Sequence, residues 1–158
     1  MNNRVDIFTS STERAVESAE IIGKVFGVKP VVFDCLGSNE NYDFTDSNAE
    51  EILKLVLEAK KDLIIVIRHG SCYFDKNEGV HRLNREGKEQ MYNLARSPSF
   101  FFKGKSALIL VTHMEQTYAL PNYLETKING KNTFFKVSIR NGAAWILDFK
   151  NGTKICQS

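Results

Sequence analysis

Short runs of aliphatic and β-branched residues alternate along the chain with amphipathic stretches whose apolar positions recur at helical spacing. This alternation is typical of an α/β sheet covered by helices. It predicts strands over residues 5–9, 31–33, 63–67, 107–111, 133–139 and 144–149. Helices are expected over residues 12–26, 48–60, 84–95 and 116–127. The polar segments 36–48 and 70–82 are expected to be loops.

Two of these strands, 63–67 and 107–111, are unbroken aliphatic runs, which is the pattern of strands buried on both faces of a parallel sheet. A histidine follows closely after each of them, His69 and His113. Ligands of open α/β sheets bind at the carboxyl ends of the strands, so neighbouring strands would place both histidines across one pocket. With Arg68 beside one of them, this pair can hold an anion and supply a nucleophilic imidazole.

The two histidines could also be structural residues or metal ligands. A single histidine at a strand end is more often a hydrogen-bonded structural residue than a catalyst. Two histidines with a carboxylate could bind zinc, but no His-x-x-x-His or Cys-x-x-Cys pair supplies local ligand spacing. The third histidine, His81, lies in the polar segment and is interpreted as surface or pocket rim.

Composition narrows the function classes. The 158 residues are 42% apolar and 25% charged, without repeats or linkers, which indicates one globular domain spanning residues 1–158. A net charge of +2 with a pI near 8.4 argues against a nucleic-acid partner. Three cysteines without paired spacing predict neither a disulfide framework nor a zinc site. No apolar run could cross a bilayer and no secretory signal is visible, so we expect a cytoplasmic protein with no membrane contact.

Four segments together resemble the histidine phosphatase (phosphoglycerate mutase-like) superfamily. Arg68-His69-Gly70 matches its R-H-G tripeptide, and residues 83–90 (LNREGKEQ) resemble its L-T-x-x-G-x-x-Q segment. Residues 10–19 (SSTERAVESA) resemble its S-P-x-x-R-A-x-x-T-A segment, and residues 111–113 (VTH) its V-S-H or V-T-H strand end. Residues 141–143 (NGA) are similar to the polar turn before its last strand. The resemblance implies a three-layer α/β/α fold with a mostly parallel central sheet.

The order of these segments departs from the family, in which the R-H-G strand comes first and the S-x-x-R-A segment third. Here the S-x-x-R-A segment precedes R-H-G, which predicts a permuted or block-swapped phosphoglycerate mutase-like topology. An alternative is that strand 63–67 takes the family's V-T-H position and strand 107–111 its R-H-G position. Either arrangement places the same residues in the pocket.

The resemblance implies a role for each matched residue. His69 would be the nucleophile that takes the phosphoryl group, and Arg68 and Arg14 would hold the phosphoryl oxygens through their planar forks. His113 would donate to the same oxygens, and Ser10 would shape the turn. A general acid is also needed to protonate the leaving oxygen.

The acid has two candidates. Glu115 follows His113 in a His113-Met114-Glu115 segment that resembles the family's H-A-E variant, and Glu40 lies in the loop after the second strand. Glu115 is preferred, because residues at strand ends point into a pocket more reliably than loop residues. Tyr73 or Phe74 could line the substrate site, since both closely follow the proposed nucleophile.

The resulting hypothesis is a metal-independent phosphatase that acts on a phosphomonoester or phosphohistidine through a phosphohistidine on His69. It requires no metal and no organic cofactor, and its partner would be a small phosphorylated metabolite or a phosphoprotein. The alternatives are a non-catalytic phosphate- or phosphopeptide-binding module, a mutase, and an interaction domain of unrelated function. The block-swapped order also raises the possibility of a homodimer.

Overall fold

The structure, a computed structural model, describes residues 4–37, 46–100, 104–130 and 137–157. Strands and helices alternate over most of this length, as the sequence pattern predicts. The strands are β1 (Val5–Thr9), β2 (Val31–Val32), β3 (Leu63–Arg68), β4 (Cys72–Asp75), β5 (Val80–Leu83), β6 (Ala107–Thr112), β7 (Ala143–Asp148) and β8 (Lys154–Gln157). The α-helices are α1 (Glu13–Phe26), α2 (Asp46–Ala59), α3 (Arg85–Ala95) and α4 (Met114–Asn129).

Six strands form one mostly parallel sheet in the order β2-β1-β6-β3-β7-β8. Strands β2, β1, β6 and β3 run parallel, whereas β7 and β8 are antiparallel to their neighbours. The two aliphatic strands β3 and β6 are adjacent at the centre, and Arg68 pairs in register with Thr112 at their carboxyl ends. The residues that follow these two strands therefore leave the sheet side by side.

Apolar side chains of the central strands alternate between two cores, one on each face of the sheet. Ile65, Ile67, Ile109 and Val111 pack with residues of α1 and α3, whereas Ile64, Val66, Leu108 and Leu110 pack with residues of α2 and α4. Both faces are covered, which explains why these strands read as unbroken aliphatic runs. The arrangement of helix pairs on the two sides of the sheet is compatible with a three-layer α/β/α fold. None of the described helices is long and apolar enough to cross a membrane.

Helix α1 shows how closely local sequence signals set the element bounds. Thr12 is its N-cap residue, and Gly27 ends it in the left-handed conformation at φ 69°, donating its N–H to the Gly23 carbonyl. Glycine adopts that conformation without a steric cost, so the helix ends where the sequence predicts.

The structure corrects two predictions and adds one strand that was not predicted. Segment 70–82, predicted as a loop, contains the antiparallel hairpin β4–β5, whose turn is closed by a hydrogen bond from the Gly79 N–H to the Asp75 carbonyl. Residues 137–139 are not in a strand, and 133–136 lie outside the described residues. Strand β8 is not predicted by the sequence pattern, because polar and apolar residues do not alternate along Lys154–Gln157.

Candidate functional site

The site lies where β3 and β6 end, and its centre is the pair of histidines that follow them. The His69 N–H donates to the Thr112 carbonyl at 3.1 Å, which continues the ladder between the strands by one more bond. The two imidazole rings are then 5.1 Å apart between centroids, at an interplanar angle of 67°. Both are buried, with His69 7% and His113 2% exposed. The structure thus brings together the two histidines that the sequence singles out.

Hydrogen bonds fix the tautomer of His69. Its Nδ1 lies 2.8 Å from the Gly70 carbonyl oxygen, which can only accept, so Nδ1 carries the proton. The Arg14 Nε–H donates to His69 Nε2 at 3.2 Å, which requires a lone pair on Nε2. Burial lowers the pKa of His69 to about 4; the Gly70 bond opposes this shift, and the charges of Arg14, Arg68 and His81 add to it. At neutral pH, Nε2 is therefore an unprotonated, oriented imidazole nitrogen.

His113 is held by two hydroxyl groups from the start of α1. Its Nε2 lies 2.9 Å from Ser10 Oγ and 3.3 Å from Thr12 Oγ1. Its Nδ1 is buried without a hydrogen-bond partner among the described residues. Burial, followed by the charges of His69, Arg14 and Arg68, lowers the pKa of His113 to about 3. An unpaired buried nitrogen costs free energy, which a ligand at this site could recover.

Arg14 reaches the histidines from the first turn of α1, which is tied to the turn after β3 through Ser18. The Gly70 N–H donates to Ser18 Oγ at 3.1 Å, and the Ser18 hydroxyl donates to the Arg14 carbonyl at 2.7 Å. Ser18 is fully buried and is not among the residues that the sequence singles out. Its position one helical turn after Arg14 is the signal that could have identified it.

Arg68 approaches from the other face of the sheet, because side chains alternate along β3 and Val66, two residues earlier, packs with α2 and α4. Its Nη1 donates to the Ile139 carbonyl at 2.7 Å, and its Nε is buried without a partner in the described part of the chain. Burial lowers the pKa of Arg68, while the nearby Glu115 and Cys72 act to raise it. One nitrogen of this guanidinium is thus bonded to the backbone, and its buried Nε keeps an unused donor among the described residues.

Of the two candidate acids, the structure describes one. Glu115 lies in the first turn of α4 and is 8% exposed. Its Oε1 has no hydrogen-bond partner within the described ranges. The charge of Glu115 acts to raise the pKa of Arg68. Glu40, the other candidate, lies outside the described residues.

Two glycines allow the backbone to close behind His69. A Cβ at Gly70 would lie 2.6 Å from the Gly87 carbonyl oxygen, and a Cβ at Gly87 would lie 2.0 Å from the Ser71 carbonyl oxygen. The Ser71 N–H donates to Gln90 Oε1 at 2.9 Å, so α3 holds this turn by both contact and hydrogen bond. Glycine is therefore needed at both positions, one in Arg68-His69-Gly70 and one in segment 83–90, because the two backbones pack directly against each other.

A third segment supports the same turn from the start of β7. The Gly142 N–H lies 3.1 Å from both the Arg68 and the His69 carbonyl oxygens. The Asn141 side-chain amide donates to the Gly70 carbonyl at 3.3 Å. The sequence resemblance marks these residues only as a turn, whereas here they support the backbone of His69.

The remaining sequence candidates lie around this centre. Cys72 is half-buried at the start of the β4–β5 hairpin, and Tyr73, Phe74 and His81 are exposed on it. Within the described residues, no group of three or more His, Cys, Asp and Glu side chains is placed to hold a metal ion. Comparison with family models, curated proteins and solved structures finds no match to this chain.

The chemical capacity of the site follows from what converges on it. Helix α1 starts at its N-cap Thr12 and helix α4 at its N-cap His113, so the N-termini of two long helices lie at the site. Helix N-termini carry partial positive charge and favour anions. Together with the guanidinium groups of Arg14 and Arg68, they form an electropositive site around an unprotonated imidazole nitrogen.

Proposed function

We propose that this chain is a phosphatase that transfers the phosphoryl group of its substrate to His69 Nε2 and then to water. The observation that carries the proposal is the environment of His69: Nδ1 is bonded to the Gly70 carbonyl, Nε2 faces Arg14, and the pKa is lowered to about 4. A nucleophilic imidazole must be unprotonated and oriented, and a phosphoryl group needs cations for its oxygens.

In the first step, the Nε2 lone pair of His69 attacks phosphorus while the bond from phosphorus to the leaving group breaks. The leaving atom is oxygen in a phosphomonoester and an imidazole nitrogen in phosphohistidine. Arg14 moves from Nε2 to the phosphoryl oxygens, which its charged fork prefers to a neutral nitrogen. His113 and Arg68 stabilise the same oxygens. The leaving oxygen or nitrogen takes a proton from a carboxylic acid, for which we propose Glu115.

In the second step, water attacks phosphorus, the phosphorus–nitrogen bond breaks and inorganic phosphate leaves. The carboxylate of Glu115 accepts the proton that the attacking water gives up, which restores the acid. His69 returns to its neutral form with Nδ1 still bonded to Gly70. This cycle calls on no metal or organic cofactor, because the arginines supply the positive charge.

Membership of the histidine phosphatase superfamily is part of the proposal, with its third block moved to the N-terminus. The contacts among the resembling segments support it: Gly70 of R-H-G packs on Gly87, and Gln90 receives the Ser71 N–H. These contacts also favour strand β3 in the R-H-G position over β6. His113 at the end of the parallel neighbour β6 is in keeping with the V-T-H position.

A phosphate-binding module without turnover is the second candidate, and two observations favour it. Arg14 donates to the lone pair that the mechanism needs, and Nη1 of Arg68 is bonded to the Ile139 carbonyl. If neither arginine leaves these partners, the site would hold an anion without reacting with it.

Steady-state hydrolysis of p-nitrophenyl phosphate without added metal distinguishes the two candidates. We expect continuous phosphate release by the intact chain and its loss in His69→Ala. Arg85→Ala, which removes an arginine side chain that is 94% exposed, is the control for altered charge and should retain full activity. Saturable phosphate binding without turnover would instead establish the binding module.

A further inference from the structure

The hairpin β4–β5 follows His69 directly and is fixed against α1 by a cluster of charges around Arg82. Its guanidinium lies 3.7 Å from Glu13 and 3.9 Å from Glu17 of α1. Within the hairpin, it lies 3.5 Å from Asp75 and also pairs with Glu78. A single exposed ion pair contributes little, but four carboxylates on one arginine make a network. The hairpin is thus a fixed wall next to the site.

The pairing register divides the hairpin side chains between two faces. Cys72 pairs with Leu83 and Phe74 with His81, so these four side chains share one face. Tyr73, paired with Arg82, lies on the opposite face. Both aromatic residues of β4 are exposed to a similar extent, Phe74 by 51% and Tyr73 by 48%.

Phe74 and His81 form a ring pair on their face, with centroids 5.2 Å apart and an interplanar angle of 59°. The same face also carries Leu83, which is 2% exposed and packs in the same core as Ile67, two residues before His69. His81 on this face adds to the effect of burial in lowering the pKa of His69. The ring pair therefore lies on the hairpin face that continues outward from the core beneath His69.

We propose that the Phe74–His81 ring pair binds the leaving group of the substrate, and that this leaving group is a planar ring carrying the phosphoryl group. The inference rests on the proposed phosphatase function. Both an aryl phosphate and the phosphorylated imidazole of phosphohistidine have this chemistry. Aromatic rings gain from stacked or edge-to-face contact beyond the area they bury. The leaving group of an alkyl phosphate would make no such aromatic contact with the ring pair.

The reaction arm of the test compares three substrates: phosphotyrosine, phosphohistidine and phosphoserine. Phe74→Ala should raise KM for one or both ring substrates by about two- to tenfold, the size of one aromatic contact, and leave KM for phosphoserine unchanged. His81→Ala should act in the same direction. Tyr73→Ala, which removes an equally exposed ring from the opposite face, is the matched control and should change neither.

An effect on phosphotyrosine alone identifies an aryl phosphate as the substrate, and an effect on phosphohistidine alone identifies the phosphorylated imidazole. Equal losses on all three substrates, or equal losses in Phe74→Ala and Tyr73→Ala, would overturn the assignment. Because Phe74 is exposed, its replacement should not unfold the chain, and circular dichroism checks this.

A binding arm keeps this inference separate from the phosphatase proposal. Calorimetry with the intact chain compares benzylphosphonate and butylphosphonate, which cannot be hydrolysed. We expect tighter binding of benzylphosphonate and loss of that preference in Phe74→Ala but not in Tyr73→Ala. Absence of turnover with this preference retained would refute the phosphatase alone, whereas equal affinity for both phosphonates would refute the ring pair.

Discussion

Acidification should destabilise the fold through His69, because the folded chain keeps this imidazole neutral. The pKa of His69 is lowered from 6.5 to about 4, mainly by burial. As pH falls below about 6.5, the unfolded chain takes up the proton and the folded chain does not. The free energy of unfolding is therefore insensitive to this group above pH 6.5 and decreases between pH 6.5 and 4. At about 1.4 kcal/mol per pKa unit, the loss is about 3 kcal/mol.

Urea unfolding at a series of pH values from 8 to 4 measures this loss. His69→Gln removes the titrating group. Over this pH range, its free energy of unfolding should therefore fall by about 3 kcal/mol less than that of the wild type. Asn93→Gln, a substitution at an exposed residue without an ionisable group, is the control, and its curve should follow the wild type closely. Parallel curves for His69→Gln and the wild type would refute a buried neutral imidazole at this position.

The same pKa sets the pH dependence of the proposed phosphatase reaction. Because His69 reacts as the free base in the proposed mechanism, kcat/KM should decrease on the acid side near the pKa of about 4, rather than near 6.5. The measurement is the pH profile of p-nitrophenyl phosphate hydrolysis, corrected for any unfolded fraction. An acid limb near pH 6.5 that shifts in His69 variants would contradict the assigned environment.

Three further predictions concern the residues that hold the site together. Gly87→Ala should lower the free energy of unfolding by about 1–3 kcal/mol, because the new methyl group meets the Ser71 carbonyl at 2.0 Å. Ser18→Ala should cost about 1–3 kcal/mol, because the buried Gly70 N–H loses its acceptor. Both are measured by urea unfolding. Arg14→Ala should lower kcat/KM by about 10- to 100-fold, the value of one charge-assisted hydrogen bond.

Each of these changes has a matched control on the surface of the same helix or a neighbouring one. Lys88→Ala accompanies Gly87→Ala, Glu20→Ala accompanies Ser18→Ala, and Arg85→Ala accompanies Arg14→Ala. All three control side chains are exposed, so their replacement should change stability by no more than about 0.5 kcal/mol. A control that matches its paired variant would show that the buried contact is not the cause.

Strong local signals explain why much of the sheet could be predicted from the sequence. The aliphatic runs of β3 and β6 need no tertiary information, because only a strand covered on both faces is apolar at every position. The hairpin β4–β5 lacks such a signal, because its strands are only four residues long and their apolar and polar residues do not alternate. The position of the hairpin depends on the contacts of Arg82 with α1, and no local sequence pattern predicts these contacts.

The candidate site divides in the same way. His69, His113 and Arg14 could be singled out because each lies in a recognisable segment at the end of a strand or the start of a helix. The hydrogen bond from Arg68 to the Ile139 carbonyl could not be predicted from the sequence, because it joins residues that are 71 positions apart. Ser18 has a local signal in its position one helical turn after Arg14, but the hydrogen bond that it accepts from the Gly70 N–H joins residues that are 52 positions apart.

The most direct test of the phosphohistidine mechanism is to trap the intermediate. The chain is mixed with a ³²P-labelled phospho-donor, quenched in alkali and digested, and the labelled peptide is mapped. The mechanism predicts a label that is stable in base and labile in acid, located on His69 and absent from His69→Ala. A label on any other residue, or full turnover by His69→Ala, would contradict it.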